Sequence, residues 1–457
     1  MSSACANQAY DLRTTSYHRG DLTTAGLDYR KFGVGTGITR RNFLELLAGG
    51  LTWLAASPLS ALATDYRVGV GHLADPYSAT MRAVEACGEW PGRSIAGRTV
   101  VIKPNLVSGM PAETGVTTEP EVVRALVDLA LQSEARQIFI VESAVKGANF
   151  SLCGYDFFTD YDLQGRVSLI DLDDWPIRLY RVAGGMAYGW LYMPKPLMGS
   201  DVVFISVPTL KCHTSTLVTL SMKNLFGLPP WRLYRASFIP GRFGMHKRGV
   251  HQTIVDLNLV RQIDFAVVDA IWGMEGDGPW SGDPVKMDFV LAGSNALAVD
   301  RVCLMAMDIA QNRVQHLEYA ATKGLGPSDM DMIEVVGDPL PSHSFVQPDI
   351  PPQVDAPTCT PKVFSPGAGQ YTIITYRVDR ACWSYAEIVR TWDIGPSWVR
   401  RIRTLHGWKK LSSGTETLIW DGRDDDGILV FPARYTVRIR ATASRSAYAT
   451  GHLWVKA

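Results

Sequence analysis

The chain has no excess of charge of either sign: 45 Lys and Arg face 45 Asp and Glu in 457 residues. That removes the basic surplus which drives sequence-independent attraction to a phosphate backbone, so nucleic acid is not an expected partner. No C-x-x-C pair occurs among the seven cysteines, which excludes zinc-ribbon and ferredoxin-type ligand spacings. There is no internal repeat and no low-complexity tract, and disordered, collagenous and coiled-coil classes are excluded by composition. A permanent membrane span wants about 20 predominantly apolar residues. The best candidate, Thr39 to Ala63, is interrupted by Glu45, Gly49, Gly50 and Pro58. With hydrophobic residues at 46% and charged residues at 20%, what remains is a folded globular chain. Its length suits about three structural units.

Thr39 to Ala63 reads TRRNFLELLAGGLTWLAASPLSALA, a paired arginine, a moderately apolar stretch and a small-x-small ending at Ala61-Leu62-Ala63. This pattern resembles a twin-arginine export signal, cleaved to leave a mature chain starting near Thr64. The expected location is therefore periplasmic or extracellular, with no permanent membrane span after cleavage. That route carries folded proteins, which makes a metal or redox group a candidate cofactor without naming one. An oxidising compartment permits disulfides, and Cys359 with Cys382 is one local pairing open to the chain.

From Tyr66 to about Gly337, β-branched runs alternate with helical patterns, the signature of α/β units around a largely parallel sheet flanked by helices. Strands are expected at Thr99 to Lys103, Gln137 to Val141, Asp201 to Val207, Asp264 to Asp269 and Met287 to Leu291. A helix opens at Glu119-Pro120-Glu121, and others are expected at Ile254 to Gln262, Ala296 to Met307 and Val314 to Lys323. Between Asp338 and Pro366 there are eight prolines, which reads as an extended linker. Beyond it, Tyr371 to Val378, Ala386 to Trp392, Val399 to Leu405, Thr415 to Trp420 and Arg434 to Ala441 alternate at period two, as in a small C-terminal β-sandwich. The division is thus 1–63 extension and signal, 64–337 α/β domain, 338–366 linker and 367–457 sandwich.

In an open α/β sheet, ligands sit outside the carboxyl ends of the strands, so strand exits are the places to look. Lys103-Pro104-Asn105 follows the first expected strand with a cation and an amide on a stiffened backbone. The densest stretch is VPTLKCHTSTLVTLSMKNLFG, Val207 to Gly227, where Lys211, His213, Lys223 and Asn224 join a run of hydroxyls interleaved with apolar residues. Donors of this kind suit an anionic small molecule or a developing oxyanion. His246 and His251 lie five apart and are candidates for proton transfer or metal binding. Asp269 ends a strand and leads into AIWGMEGDGPWSGDP, which brings Glu275, Asp277 and Asp283 as acid, base or hard-metal ligands. Asp300 stands near a helix start, where an acid complements the macrodipole.

KPNLV at Lys103, TEPEVVRALVDLA at Thr118, the Val207 to Gly227 stretch, His246, the VVDAIWGMEGDGPWSG block and LAVD at Asp300 together resemble the domain of unknown function 362 family, over about Tyr66 to Gly337. Some relatives carry a ferredoxin-like segment with cysteine-ligated clusters; this chain has no such segment, which argues against an iron–sulfur cluster on it. The tail, with Phe364-Ser365-Pro366 and IWDGRDDDGILVFPARYTVRIRA from Ile419, resembles the immunoglobulin-like domain of flagellar-hook-capping proteins, with Ala433 where a glycine is usual. Asp421, Asp424 and Asp426 lack the EF-hand pattern because Arg423 interrupts it, so a β-turn is expected there.

Two functions compete. One is an exported enzyme in which Lys103, Asn105, Lys211, Lys223 and Asn224 bind an anionic group while His213, His246, Glu275 and Asp269 serve as catalytic acids, bases or metal ligands. The other is a non-catalytic binding or assembly protein of the cell envelope that meets a protein partner through its C-terminal domain. The export reading makes a direct prediction: with Arg40 and Arg41 both replaced by Lys, cell fractionation finds the precursor in the cytoplasm, whereas wild-type protein is recovered outside it with an N-terminus near Thr64.

Overall fold

The computed structural model describes residues 66–143, 149–235, 242–355, 357–391, 399–443 and 449–456; the paired arginines and the apolar segment after them lie outside the described residues. The chain begins with β1 (Tyr66–His72), α1 (Pro76–Cys87), the single turn α2 (Gly92–Ile95) and β2 (Thr99–Pro104). Helix α3 (Pro120–Gln132), β3 (Gln137–Glu142), β4 (Val167–Asp171) and the ribbon of β5 (Ile177–Arg181) and β6 (Trp190–Pro194) follow. Next come β7 (Val202–Val207), β8 (Thr209–His213), β9 (Leu217–Val218) and three helices, α4 (Leu220–Asn224), α5 (Trp231–Tyr234) and α6 (Phe243–Val260). Two long strands, β10 (Phe265–Glu275) and β11 (Asp283–Gly293), precede α7 (Ala296–Ala306), α8 (Gln315–Thr322) and β12 (Ile333–Gly337).

Ten of these twelve strands, all but β5 and β6, make one mixed sheet in the order β12-β1-β11-β10-β7-β2-β3-β4, with β8 and β9 attached through β10. Neighbours from β10 through β7, β2 and β3 to β4 run parallel, so their carboxyl ends share one edge. The antiparallel exceptions come from β11, which pairs with both β1 and β10, and from β9, which pairs with β8. Strands β2 and β7 are buried at every position, as expected where helices cover both faces of a parallel sheet. Helix α3 starts at Pro120, whose fixed φ suits a first helical turn, and buries Val122, Val123, Leu126 and Ala130 against the sheet.

Two features differ from the sequence reading. Strand β10 does not stop at Asp269; it runs six residues further and folds back as a hairpin with β11, so Glu275 and Asp283 face each other in register. Helix α6 starts well before Ile254, because its first part, from Phe243, is separated from the rest by Gly249, whose φ of 116° interrupts the helical pattern.

The proline-rich stretch after β12 carries no helix, yet it is packed down rather than free. The Phe345 N–H reaches the Met307 carbonyl, Phe345 and Ile350 are buried in the α/β core, and Val354 bridges to Val378. Beyond it stand two small antiparallel sheets. The first holds β13 (Thr358–Thr360), β14 (Thr372–Val378) and β17 (Gly414–Trp420); the second holds β15 (Cys382–Thr391), β16 (Val399–Leu411), β18 (Arg434–Thr442) and β19 (Ala449–Lys456). Ile374, Tyr376, Ile388, Trp420 and Val437 belong to one buried cluster that the sheets share. Cys359 and Cys382 are both free thiols in it. Asp424 accepts from the N–H groups of Asp426 and Ile428, the turn expected of that acidic stretch. Among the described residues no helix is long and apolar enough to cross a membrane.

One buried carboxylate ties α6 to the ribbon. Asp256, fully buried, accepts from the N–H groups of Met186, Ala187 and Tyr188 at 2.6, 2.7 and 2.7 Å. Burial pushes its pKa up to about 7 against the pull of those three donors. Asp256→Ala strands three buried N–H groups, and at about 1–3 kcal/mol for an unsatisfied donor the variant is expected to lose about 3 kcal/mol or more in urea denaturation.

Candidate functional site

The carboxyl ends of β2, β3 and β7 lie side by side, with Lys103 in register with Ser206. Because alternate strand residues face opposite sides, the last residues of these strands decide what the sheet edge presents. Lys103 leaves β2 almost fully buried, and its Nζ lies 2.8 Å from Glu142 Oε1 and 2.9 Å from Oε2. Glu142, the last residue of β3, also accepts from the N–H groups of Ser143 and Leu106. One carboxylate therefore fixes a lysine and the backbone turn that follows β2. Burial lowers the pKa of Lys103 while Glu142 pulls the other way; the ion pair at 2.8 Å keeps it an ammonium.

The network continues through two amides. Asn224, at the end of α4, accepts from Lys103 Nζ at 3.3 Å and from Asn105 Nδ2 at 3.2 Å, and its own Nδ2 donates to the Lys103 carbonyl and Ser206 Oγ. Asn105 Oδ1 in turn accepts from Lys211 Nζ at 2.7 Å, and Lys211 gives a second hydrogen to the Val116 carbonyl. Five residues singled out from the sequence thus fall close together, four of them in one hydrogen-bonded chain: Lys103, Asn224, Asn105 and Lys211, with Lys223 adjacent to Asn224. Gly227 closes over Lys103, since a Cβ there would sit 2.7 Å from Lys103 Cε.

Lys223 is different from the other two lysines. It is 8% exposed, and among the described residues its ammonium has no hydrogen-bond or ion-pair partner; it lies 5.9 Å from the centroid of the Phe226 ring. Burial brings its pKa down to about 7. Lys211 is brought to about 7 as well, first by burial and then by repulsion from Lys223.

The imidazoles gather on the same side. His213 ends β8 and stacks on His246 with ring centroids 6.3 Å apart and planes at 19°, while Phe226 and Phe243 pack on His246. His213 Nδ1 accepts from the Ser215 N–H at 3.0 Å, so the ring proton sits on Nε2 and can be donated. Burial and the Lys223 charge hold His213 well below the usual histidine range and bring His246 to about 3, which leaves both neutral near pH 7. Behind them, His251 and His316 share a 3.1 Å Nδ1–Nδ1 hydrogen bond, and each has a buried Nε2 with no partner among the described residues. His316 escaped the sequence reading because nothing in its helical context marks it.

The carboxylates are tied to backbone N–H groups, with Asp269 near enough to Lys211 for their charges to interact. Glu275 accepts from the Val346 N–H at 2.7 Å and lies 3.5 Å from His343, so it fastens the proline-rich stretch to the end of β10. Asp269 accepts from the N–H groups of Glu119 and Ile271, and burial raises it to about 6. Asp300 caps α4 rather than its own helix, accepting from the Ser221 and Met222 N–H groups. Among the described residues no group of three or more His, Cys, Asp or Glu side chains is placed to hold a metal ion. Glu142 is the acid of this cluster that the sequence does not single out, and its position as the last residue of a strand is the one signal it offers. A surface hollow of about 420 Å³ lies apart from these side chains, lined by Arg313, Tyr319, Gln353, Arg377 and Arg380.

Comparison with known proteins agrees with the motif reading over the sheet core. Residues 100–305 match the family described as a domain of unknown function, DUF362. A thylakoid-associated protein of Synechocystis sp. is 27% identical over 247 residues, covering 52% of this chain and 71% of that protein. Among solved structures, the alkylpurine DNA glycosylase AlkC of Pseudomonas fluorescens matches with a TM-score of 0.15 at 13% identity, over 35% of this chain and 45% of the other. The Clostridium perfringens spore cortex lytic enzyme SleM matches with a TM-score of 0.16 at 10% identity, over 84% of this chain and 77% of that one.

The Lys103–Glu142 pair yields a stability test. Removing one partner of a buried ion pair costs about 3–5 kcal/mol because the other charge is left uncompensated. Lys103→Met is expected to show that loss in chemical denaturation. The Lys103→Met/Glu142→Gln double variant loses less than the sum of the single changes, with a coupling of about 1–3 kcal/mol.

Proposed function

We propose that the protein is an exported enzyme that binds a small anionic molecule at Lys223, His213 and His246, on a scaffold set by Lys103, Asn105, Asn224 and Lys211. The observation that carries this reading is Lys223, a residue only 8% exposed whose ammonium has no protein acceptor among the described residues. Burying a charge that nothing matches is costly, and such a cost is retained where a ligand supplies the match. The surrounding donors support the same sign of ligand: His213 offers Nε2–H, and Lys211 keeps one ammonium hydrogen beyond the two it gives to Asn105 and Val116. Ammonium and N–H donors suit a carboxylate or phosphate better than a metal cation.

In this reading Lys223 anchors the anion, His213 and His246 act as neutral hydrogen-bond donors and proton carriers, and Lys211 keeps the local potential positive. Glu275 and Asp269 hold backbone and stay outside the chemistry. Export by the twin-arginine route is part of the proposal, as is an immunoglobulin-like character for the two C-terminal sheets. A second reading, an envelope protein that makes contacts through its tail, draws on one observation: Ile419, Ile428 and Phe431 stand 62%, 63% and 79% exposed on those sheets and their connections.

Lys223→Met is expected to abolish binding of inorganic phosphate in isothermal titration calorimetry while the melting temperature stays equal to or above that of the wild type. A large loss of stability would instead make Lys223 structural. Wild-type affinity is expected to fall as pH rises above about 7, because the ammonium that attracts the anion is lost there. Affinity for phosphate that stays flat between pH 6 and 9 would remove Lys223 from the site.

A further inference from the structure

We infer that Lys223 is a nucleophilic amine that forms a Schiff base with an anionic carbonyl compound, of which a 2-oxo acid is the simplest class. The inference rests on the anion site proposed above and adds a covalent step to it. It comes from comparing the three buried lysines. Lys103 is locked as an ammonium by Glu142 at 2.8 Å. Lys211 spends two hydrogens on Asn105 Oδ1 and the Val116 carbonyl, both at 2.7 Å. Lys223 has neither a carboxylate nor an acceptor among the described residues, and it sits in an environment shared with another cation.

An amine attacks a carbonyl only through its lone pair, so the nucleophilic lysine must be easy to deprotonate. Desolvation and a neighbouring cation do this, and a carboxylate partner undoes it. With a pKa near 7, about half of Lys223 is free amine at neutrality. The remaining groups fit the other atoms of a 2-oxo acid. His213, its proton fixed on Nε2 by the Ser215 N–H, can donate to the carbonyl oxygen as a neutral imidazole. The third ammonium hydrogen of Lys211 is available to the carboxylate.

The backbone around the lysine is strained in the same place. Leu217 and Leu220 have φ of 68° and 58°, a region bulky residues rarely adopt, and both are fully buried. Strain of this kind persists where the surroundings fix a chain path that the site requires. Here it sets the start of α4, which carries Lys223.

The step balances without an oxidant or reductant. The Nζ lone pair forms the C–N bond to the carbonyl carbon while the carbonyl π electrons move to oxygen, which takes a proton. Nitrogen loses one proton to give the carbinolamine; its hydroxyl leaves with a further proton as water while the nitrogen lone pair closes the C=N bond, and the iminium formed gives up the second N–H proton, which replaces the one taken by the leaving hydroxyl. The two N–H hydrogens of the amine end in the water.

The test uses the mature wild-type chain, pyruvate and sodium cyanoborohydride, followed by peptide mapping. The expected result is a reduced pyruvate adduct on Lys223 that forms on the order of tenfold faster than on surface lysines, as for an activated amine. It is absent in Lys223→Arg and Lys223→Met. Lys211→Gln is expected to move the pH of half-maximal trapping upward by about one unit, because the repelling charge is gone. An adduct that fails to form on Lys223, or forms there no faster than on surface lysines, overturns the inference. If phosphate still binds the wild type in that case, the anion site survives and the covalent step alone is lost; if phosphate binding also fails, both go.

Discussion

An ammonium group buried at the carboxyl edge of a parallel sheet must be matched by a carboxylate or be held ready to give up its proton, and this constraint organises the site. Lys103 takes the first solution. Its partner Glu142 also accepts from the Leu106 N–H, so the ion pair and the turn after β2 are fixed by the same two oxygens. That turn orients Asn105, whose amide passes one contact to Asn224 and another to Lys211. Arg242 closes the arrangement from outside, giving hydrogens to the Gly227 carbonyl and to Ser143. Burial lowers even this guanidinium to about 10.

The second solution needs a lysine delivered without an acceptor, and α4 is built for that. It is five residues long and would not hold itself. Asp300 caps its first N–H groups, and Asn258 donates from α6 to the Met222 carbonyl. Support thus comes from α6 and α7 behind it, and the strained approach through Leu217 and Leu220 is fixed by that packing. Lys223 and Asn224, neighbours in sequence, are given opposite roles: Asn224 is satisfied on both ends of its amide, and Lys223 is left open.

How much of this the sequence announces depends on the range over which each feature is encoded. Strands β2, β3 and β7 were legible because their apolar runs are short and bounded by turn residues, and α3, α7 and α8 because their apolar residues recur at helical spacing. The cluster of Lys103, Asn105, Lys211 and Asn224 was legible from strand exits, since the carboxyl ends of parallel neighbours must share an edge. Glu142, Asp256 and Asp300 were not legible as anchors, because the backbone donors they satisfy lie 36, 70 and 79 residues away in sequence. Periodicity carries no trace of such a partner. The glycine-rich block after Asp269 misled for a local reason: Gly276 and Gly282 sit in the turn of a hairpin between β10 and β11, and the acids beside them follow strand register instead of converging on the histidines. The segment read as an export signal lies outside the described residues, and the stretch read as a linker is packed against the α/β core through Phe345 and Ile350.

The fate of the acids decides what kind of ligand the edge can accept. Glu142 is taken by Lys103 and two backbone N–H groups; Asp269 by the N–H groups of Glu119 and Ile271; Asp300 by those of α4. Asp269 and Asp300 are further pushed by burial toward their protonated forms, to about 6 and about 7. Each of these carboxylates therefore has its negative charge spread over fixed donors or partly removed. The neutral histidines add none of their own. Among the described residues of this cluster, the uncompensated charge is the ammonium of Lys223, reinforced by Lys211, in a volume where low dielectric lets a single charge act at full reach. A molecule entering beside His213 meets a positive field lined with N–H donors. In the proposed reading a neutral ligand would leave that field unmatched and a cation would oppose it, which is the argument for an anion as the proposed ligand.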